Sequence, residues 1–530
     1  MIANHCMSQL ESIPVGVEPS TAGGAVIYRS CGAVLLVGDG VEVLDSARSL
    51  ATQLKVVAFA PGLESAGKMP SNLTVIGGRV VAVTGHLGRF RAYAAIPGGG
   101  QRDIAPFSPN ADGAFDLVLD LSVVPLVPQA VPPHGYFKPR DAAGIAAALV
   151  ALPGLVGTFR KPRFFNFDAQ LCAHGAKGLT GCTRCIEVCD AGAIRSAGAA
   201  VSIDPYLCQG CATCALACPT GAVTFAAPSR QGLVEQLHAG LAGAAAKQLT
   251  NQPLVVHTSA GAAATRGLTA AVQTLEVPAL PAFGDELWLV ALAAGARSVL
   301  LVDDPTLTER ARSLLRARVA QTQTLLEACG RDPGAIALVG GDGLARAAAR
   351  CCSSDAAAHA APMPAGSTDP GKRATAITAL AALAGNRPGA AAPLPPGATF
   401  GAVLVDRQAC TVCLACTHLC PTGALVGQTE PQLTLSFLES ACVQCGLCVA
   451  GCPEHAIALA PRLDPAAIAA PQHSVVAEDD MLACTECGAR FISRKVLMRS
   501  VELLQRQPAF AGISTKMLSL CMECRARSMF

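Results

Sequence analysis

The sequence predicts a multidomain protein of α/β and α+β class, with two cysteine-rich units embedded among α/β domains and a small four-cysteine module after them. The chain has 530 residues, which exceeds what one hydrophobic core usually supports. Short β-rich runs alternate with segments of helical spacing in two long stretches, a pattern typical of α/β domains. Most of the 25 cysteines lie in closely spaced runs, which indicates metal binding.

We expect six segments in chain order. They are an N-terminal α/β domain (1–160), a first cysteine-rich unit (161–228), a second α/β domain (229–352), a linker rich in Ala, Pro and Gly (353–399), a second cysteine-rich unit (400–462) and a C-terminal four-cysteine module (463–530). In the first domain the predicted strands are 33–37, 55–59, 72–76, 79–83 and 115–121, with a helix at 43–54. Farther on we expect a strand at 296–302, a helix at 306–328 and a short helix near 373–383 in the linker.

Four cysteine runs follow one spacing pattern, in which three thiols are separated by two residues each and a fourth is set off by three. The clearest run is Cys208, Cys211, Cys214 and Cys218, followed by Pro219. This is the ligand pattern of bacterial ferredoxins, where three thiolates bind one [4Fe–4S] cluster and the fourth binds its neighbour. The other runs are Cys172, Cys182, Cys185 and Cys189; Cys410, Cys413, Cys416 and Cys420; and Cys442, Cys445, Cys448 and Cys452.

Crossed ligation between paired runs predicts two 2[4Fe–4S] ferredoxin-like units and therefore four [4Fe–4S] clusters, each held by one set of thiols. In the first unit, set A is Cys172, Cys182, Cys185 and Cys218, and set B is Cys189, Cys208, Cys211 and Cys214. In the second unit, set C is Cys410, Cys413, Cys416 and Cys452, and set D is Cys420, Cys442, Cys445 and Cys448.

The first run departs from the pattern at two points. Nine residues separate Cys172 from Cys182, and Asp190 stands where a proline normally follows the fourth cysteine. The inserted residues are expected to lengthen a loop without changing which thiols face the iron. His174 could replace Cys172 as a ligand, but a surface histidine beside the loop is the favoured interpretation, because cysteine dominates such sites.

The C-terminal module contains two C-x-x-C pairs, Cys484 with Cys487 and Cys521 with Cys524. Four thiolates in two such pairs suit a tetrahedral structural zinc site, so we expect zinc here. Two alternatives stay open, because spacing narrows the identity of a metal without fixing it. They are a fifth iron–sulfur cluster and a redox-active or unligated pair of cysteines.

Composition and charge restrict the location and the partners. The formal net charge of +2 offers no basic stripe, so nucleic acid is not expected as a partner. The best candidate for a membrane span, residues 288–302, is interrupted by Arg297, so no span is expected. The first residues lack an export pattern, which predicts a cytoplasmic location. Cysteines in that compartment are reduced and are expected to hold metal rather than to form disulfides.

The cysteine runs resemble those of bacterial polyferredoxin-type 4Fe–4S dicluster proteins. The central region, through residues 277–281, 287–302 and 312–330, resembles the small iron–sulfur subunit of hydrogenase and heterodisulfide reductase systems. That resemblance implies a docking or scaffold role for the central domain. It does not extend to the [2Fe–2S] cluster of that family, because the matching positions hold Val256, His257, Ser259, Asp303 and Asp304 in place of cysteines.

These observations predict an electron-transfer protein, acting as a subunit or partner of a larger oxidoreductase, rather than a stand-alone enzyme. One alternative is a catalytic oxidoreductase whose α/β domain binds flavin or nicotinamide. Another is a scaffold or maturation factor for an enzyme of the formate dehydrogenase or hydrogenase type. The partial glycine motifs at 38–40 and 339–343 favour tight turns over nucleotide binding.

Overall fold

The computed structural model describes residues 10–13, 24–39, 41–62, 69–96, 99–246, 251–269, 271–353, 371–385, 390–507 and 515–528. The residues that carry the prediction about an export pattern, together with residues 354–370 and 386–389 of the predicted linker, lie outside these ranges.

The N-terminal domain is built on a five-stranded parallel sheet in the order β10-β9-β3-β4-β5. All five predicted strands and the predicted helix are present, within a few residues of their expected bounds. Four of these strands belong to the parallel sheet, and the fifth, β6, lies in an antiparallel sheet with β7 and β8. In a further antiparallel sheet, β11 lies between β1 and β2. The elements are β1 Glu11–Ile13, β2 Val26–Ser30, β3 Ala33–Gly38, α1 Val41–Leu50, β4 Lys55–Ala60, β5 Leu73–Gly77, β6 Val80–Thr84, β7 Arg91–Ala95, β8 Gln101–Asp103, β9 Leu117–Leu121, β10 Tyr136–Phe137, α2 Ala142–Ala151 and β11 Gly157–Lys161.

The first cysteine-rich unit consists of short antiparallel pairs and two short helices. Strands β12 and β17 join its two ends, and β15 and β16 form a hairpin between its two cysteine runs. The residues inserted into the first run form a further hairpin, β13–β14. The elements are β12 Phe165–Phe167, β13 Gly175–Ala176, β14 Leu179–Thr180, α3 Arg184–Glu187, β15 Ile194–Ala197, β16 Ala200–Ile203, α4 Thr213–Ala217 and β17 Val223–Phe225.

The central domain has a four-stranded parallel sheet in the order β19-β18-β20-β21. Its largest fully buried side chain is Trp288, whose indole N–H donates to the carbonyl of Phe283. Strand β21 ends at Gly340 and the next helix begins at Gly341, which agrees with the predicted tight turn. The elements are α5 Arg230–Ala246, β18 Pro253–His257, β19 Gln273–Glu276, α6 Asp285–Ala293, β20 Ser298–Asp303, α7 Glu309–Ala328, β21 Ile336–Gly340 and α8 Gly341–Ser353.

Helix α9 (Lys372–Ala384) lies inside the predicted linker and agrees with the helix expected near 373–383. It is part of the central core, since Ala379 and Leu380 are fully buried and the helix packs along α6. Its many alanines allow that close approach. This part of the predicted linker is therefore a packed element that joins the central domain to the second cysteine-rich unit.

The second cysteine-rich unit repeats the layout of the first, and its sheet continues into the predicted C-terminal module. Strand β27 pairs with β25, so residues 474–479 extend that sheet. The elements are β22 Ala392–Pro393, β23 Gly401–Val405, α10 Ala415–Leu419, β24 Leu425–Gln428, β25 Leu433–Phe437, α11 Leu447–Ala450, β26 Ile457–Leu463, α12 Pro465–Ala469, β27 Ser474–Asp479, β28 Met481–Ala483, β29 Arg490–Ser493, α13 Arg494–Gln505 and α14 Met522–Ser528.

Candidate metal centres

A short helix carries the third thiol of each run. These thiols are Cys185 on α3, Cys214 on α4, Cys416 on α10 and Cys448 on α11. In three runs the residue after the second cysteine has a left-handed backbone, with φ of 58° at Ala212, 59° at Leu414 and 84° at Gly446. Such a residue turns the chain sharply between two ligand positions. In the first run Thr183 has φ of −115° instead, so that run follows a different path.

Several sulfurs accept hydrogen bonds from N–H groups of their own unit. The donors are the backbone N–H groups of Ala193 to Cys189 Sγ (3.3 Å), Val223 to Cys218 Sγ (3.5 Å) and Ala456 to Cys452 Sγ (3.3 Å), and the side-chain amide of Gln444 to Cys442 Sγ (3.3 Å). Hydrogen bonds to a ligand sulfur stabilise its negative charge and raise the reduction potential of an attached cluster. The fourth cysteine of a run receives such a bond in three of the four runs.

Set D lines a single cavity. Cys420 of one run and Cys442, Cys445 and Cys448 of the other face the same space, with Val403, Leu425 and Phe437 completing its wall. The apolar wall excludes water, and the four thiols supply the ligand number of a [4Fe–4S] cluster. The residues around this cavity therefore fit a cluster held by crossed ligation.

In each of the other three sets, the thiols that most strongly affect the pKa of a central cysteine belong to the same set as that cysteine. Burial raises the pKa of Cys185 to about 12, and the thiols that raise it further are Cys218, Cys182 and Cys172, the rest of set A. Burial likewise raises the pKa of Cys214, with further rises from Cys211, Cys208 and Cys189 of set B. For Cys416, whose pKa burial raises to about 12, the neighbouring thiols are Cys413, Cys410 and Cys452 of set C. The structure thus brings together the thiols that the sequence assigned to one set.

His174 differs from the expected surface histidine, because its side chain is buried. Its Nδ1 lies 2.9 Å from the carbonyl oxygen of Cys182 and its Nε2 lies 2.7 Å from Ser196 Oγ. Both ring nitrogens are therefore occupied by hydrogen bonds inside the unit. The imidazole therefore ties the base of the hairpin β13–β14 to β15. Cys172, rather than His174, lies with Cys182 and Cys185.

Asp190, the residue in place of proline, is buried and ties the first unit to the central domain. Thr308 donates a hydrogen bond from its hydroxyl to the Asp190 carboxylate, and Arg310 forms an ion pair with it at 3.0 Å. Both partners lie at the start of α7. A proline at this position would lack both contacts, so the departure from the ferredoxin pattern has a structural reason that the sequence did not reveal.

A buried group of charged residues lies between the two cysteine-rich units, and sequence reasoning missed it. Lys372 Nζ lies 3.7 Å from Asp285 and 3.8 Å from Glu286, and it donates to the carbonyls of Ala215 and Leu216 on α4. Arg373 donates to the carbonyl of Cys442 at 2.8 Å. The cations thus reach the backbone between Cys214 of set B and Cys218 of set A, and the backbone at Cys442 of set D. The signal in the sequence was a Lys-Arg pair in an otherwise uncharged helix.

The four tail thiols converge on one point. The Sγ atoms of Cys484, Cys487, Cys521 and Cys524 all lie within 4.8 Å of one another, and Cys487 Sγ is 3.7 Å from Cys521 Sγ. A tetrahedral thiolate site with metal–sulfur bonds of about 2.3 Å has sulfur–sulfur edges of about 3.8 Å, so the set fits a single metal ion. The backbone N–H groups of Cys487 and Cys521 lower the pKa of Cys484 to about 6, which favours the thiolate.

Comparison with known protein families gives two matches. Residues 409–457 match a 4Fe–4S dicluster domain, and residues 201–224 match a 4Fe–4S binding domain. The chain therefore carries two ferredoxin-type 4Fe–4S domains, and such domains serve iron–sulfur electron transfer. The first match includes all eight cysteines of the second unit, whereas the second includes only the run from Cys208 to Cys218. No curated protein matches the chain.

Within the described ranges, no helix is both long enough and apolar enough to cross a membrane.

Proposed function

We propose that this chain is a cytoplasmic electron-transfer protein that holds four [4Fe–4S] clusters through sets A to D and serves as a subunit or partner of a larger oxidoreductase. The proposal is carried by the convergence of set D on one apolar cavity, inside a region that matches a 4Fe–4S dicluster domain. Each bound cluster would accept and donate one electron. The thiols bind the iron, the N–H groups at sulfur tune the potential, and the apolar walls exclude water.

We propose a [4Fe–4S] cluster for set A as well. Three of its thiols, those of Cys172, Cys182 and Cys185, lie outside both matched regions. Its support is the clustering of Cys172, Cys182 and Cys185 with Cys218, and the hydrogen bonds of His174 inside the unit. With set A occupied, the chain holds about sixteen irons.

The central domain is proposed as the docking element for a redox enzyme, on the strength of its resemblance to the small hydrogenase-type subunit. Two of the positions where that family has cysteines hold aspartates whose carboxylates bind other side chains of the domain here. Asp303 binds Arg312 at 2.8 Å, and Asp304 accepts a hydrogen bond from Thr258 at 2.7 Å. The domain therefore supplies a surface rather than a further cluster.

For the tail we propose a structural zinc ion bound by Cys484, Cys487, Cys521 and Cys524. Zinc is redox-inert and prefers closed tetrahedral thiolate sites, which matches the compact arrangement of the four sulfurs. The tail then stabilises its surroundings without exchanging electrons.

Iron and acid-labile sulfide analysis of anaerobically purified, reconstituted full-length protein tests the cluster count. We expect about sixteen of each per chain, because four sets bind four irons each. A value near twelve would contradict one of the four sets, and a value near eight would contradict two of them. Cys31→Ser, which alters an exposed thiol outside the sets, is the control and should leave the count unchanged. The absorbance spectrum of the same sample would reveal a flavin if the chain were instead a flavin-dependent oxidoreductase.

A further inference from the structure

The hairpin inserted in the first run forms a direct contact between the two cysteine-rich units. It packs against helix α11 of the second unit. A Cβ atom placed on Gly181 would lie 2.6 Å from Cγ of Leu447, and one placed on Gly451 would lie 2.9 Å from Cδ1 of Leu179. Neither position leaves room for an added atom, so the two units are packed as closely as a protein interior.

Cys182 of set A and Cys445 of set D flank this contact. Cys182 directly follows Gly181, and Cys445 precedes Leu447 by two residues. Cys182 and Cys445 are close enough to interact electrostatically. Sets A and D are therefore neighbours even though they belong to different units.

Arg184 lies at the same junction. The side chains close enough to interact electrostatically with its guanidinium include Cys182, Cys445 and Cys218. Its Nη1 atom is buried and has no hydrogen-bond partner within the described part of the chain. A buried donor without a partner is costly, so this N–H group is suited to a sulfur acceptor at set A or set D.

Within each unit the two sets are also adjacent. Helix α3 contacts α4 in the first unit, and α10 contacts α11 in the second. Cys214 of set B is close enough to interact electrostatically with Cys185 of set A, and Cys448 of set D with Cys416 of set C. Set A is therefore next to set B, and set D is next to set C.

Sets B and C differ from sets A and D in their exposure to solvent. Among the sixteen thiols of the four sets, all of which are described, only Cys211 of set B and Cys413 of set C are exposed. The thiols of sets A and D are buried or half-buried.

We propose that the four sets form one continuous line in the order B–A–D–C, which joins the two ferredoxin-type units at the Gly181–Leu447 contact and ends at two separate docking points beside Cys211 and Cys413. The line rests on the proposed electron-transfer function. Each end takes one class of partner, a one-electron redox protein. The donor is oxidised by one electron at one end and the acceptor is reduced by one electron at the other, with no bond made or broken.

Paramagnetic resonance of the reduced full-length protein tests the order, because neighbouring paramagnets speed each other's spin relaxation. The signal of set A is assigned by its disappearance in Cys182→Ala. Cys448→Ala, which removes set D, should slow the relaxation of set A several-fold. Cys413→Ala, which removes set C, is the matched control and should leave the relaxation of set A unchanged. Each variant should retain about twelve irons.

Unchanged relaxation of set A in Cys448→Ala would overturn the line. If Cys448→Ala also loses the irons of set C, the reciprocal variant decides: Cys182→Ala should slow the relaxation of set D while leaving that of set C unchanged, and an unaffected set D would equally overturn the line. Failure of the proposed function itself has a different signature, since wild-type protein would then contain far fewer than sixteen irons and give no signals from the four sets.

Discussion

Arg373 donates three hydrogen bonds to backbone carbonyls, those of Thr399, Ser440 and Cys442, from a position that the sequence assigned to a linker. Burial lowers the pKa of its guanidinium to about 10, so it remains charged at neutral pH. A fixed positive charge beside Cys442 would stabilise the additional electron of a reduced cluster bound by set D. Individual residues around the thiols therefore distinguish sets whose ligand spacing is nearly the same.

Arg373→Gln should lower the reduction potential of set D, because it removes this charge while keeping a hydrogen-bond donor. An interaction of about 1 kcal/mol corresponds to a decrease of about 40 mV for a one-electron couple. Arg373→Lys is the control and should keep most of the potential, since the charge is retained. A redox titration followed by paramagnetic resonance measures both variants, and an equal decrease in the two would show that packing rather than charge sets the potential.

Crossed ligation makes two neighbouring cysteines of one run behave differently. Cys218→Ala should damage set A, whereas Cys214→Ala should damage set B, because Cys218 lies with Cys182 and Cys185 while Cys214 lies with Cys208 and Cys211. Paramagnetic resonance of the reduced variants would show which signal is lost. Loss of the same signal in both variants would contradict the crossed arrangement.

At the scale of elements, the tail is fastened to the second unit beside set C. Ser493 at the start of α13 donates to the carbonyl of Thr411 at 2.7 Å, and Lys495 donates to that of Cys410 at 3.3 Å. Farther along α13, Arg499 pairs with Glu454 at 3.1 Å. The tail metal site is thus linked through α13 to the backbone of the run that holds set C.

Loss of a metal bound by the four tail thiols should therefore loosen the tail and leave the four sets intact. Cys521→Ser should abolish one zinc per full-length chain and increase protease cleavage within residues 480–528, because thiolate–zinc bonds contribute folding free energy directly. Iron content and visible absorbance should stay unchanged. Zinc analysis and limited proteolysis check the result, with Cys31→Ser as the control. Loss of iron and labile sulfide in equal amounts from the tail site would instead identify it as a fifth cluster.

At the scale of the whole molecule, features that depend on residues close together in the sequence were predicted. Contacts between residues far apart in the sequence were missed. The ligand runs and the parallel-sheet strands were predictable because a C-x-x-C spacing or a run such as Ala33–Gly38 is a local signal. The junction of Cys182 with Cys445 and the reach of Lys372 to Leu216 connect residues more than a hundred positions apart. No spacing rule reports such contacts, because they depend on how separate units pack.

The line of sets also predicts the order in which the protein is damaged by oxidants. Susceptibility of thiolate sulfur to oxidation follows its exposure, and the exposed thiols Cys211 and Cys413 belong to the two end sets. Limited treatment of full-length protein with a small anionic oxidant should therefore release about half of the iron in a fast phase, from sets B and C, and the rest slowly. The time course of iron release, followed together with paramagnetic resonance of the re-reduced protein, measures which signals disappear first. Early loss of the signals of sets A and D would contradict the assignment of Cys211 and Cys413 as the ends of the line.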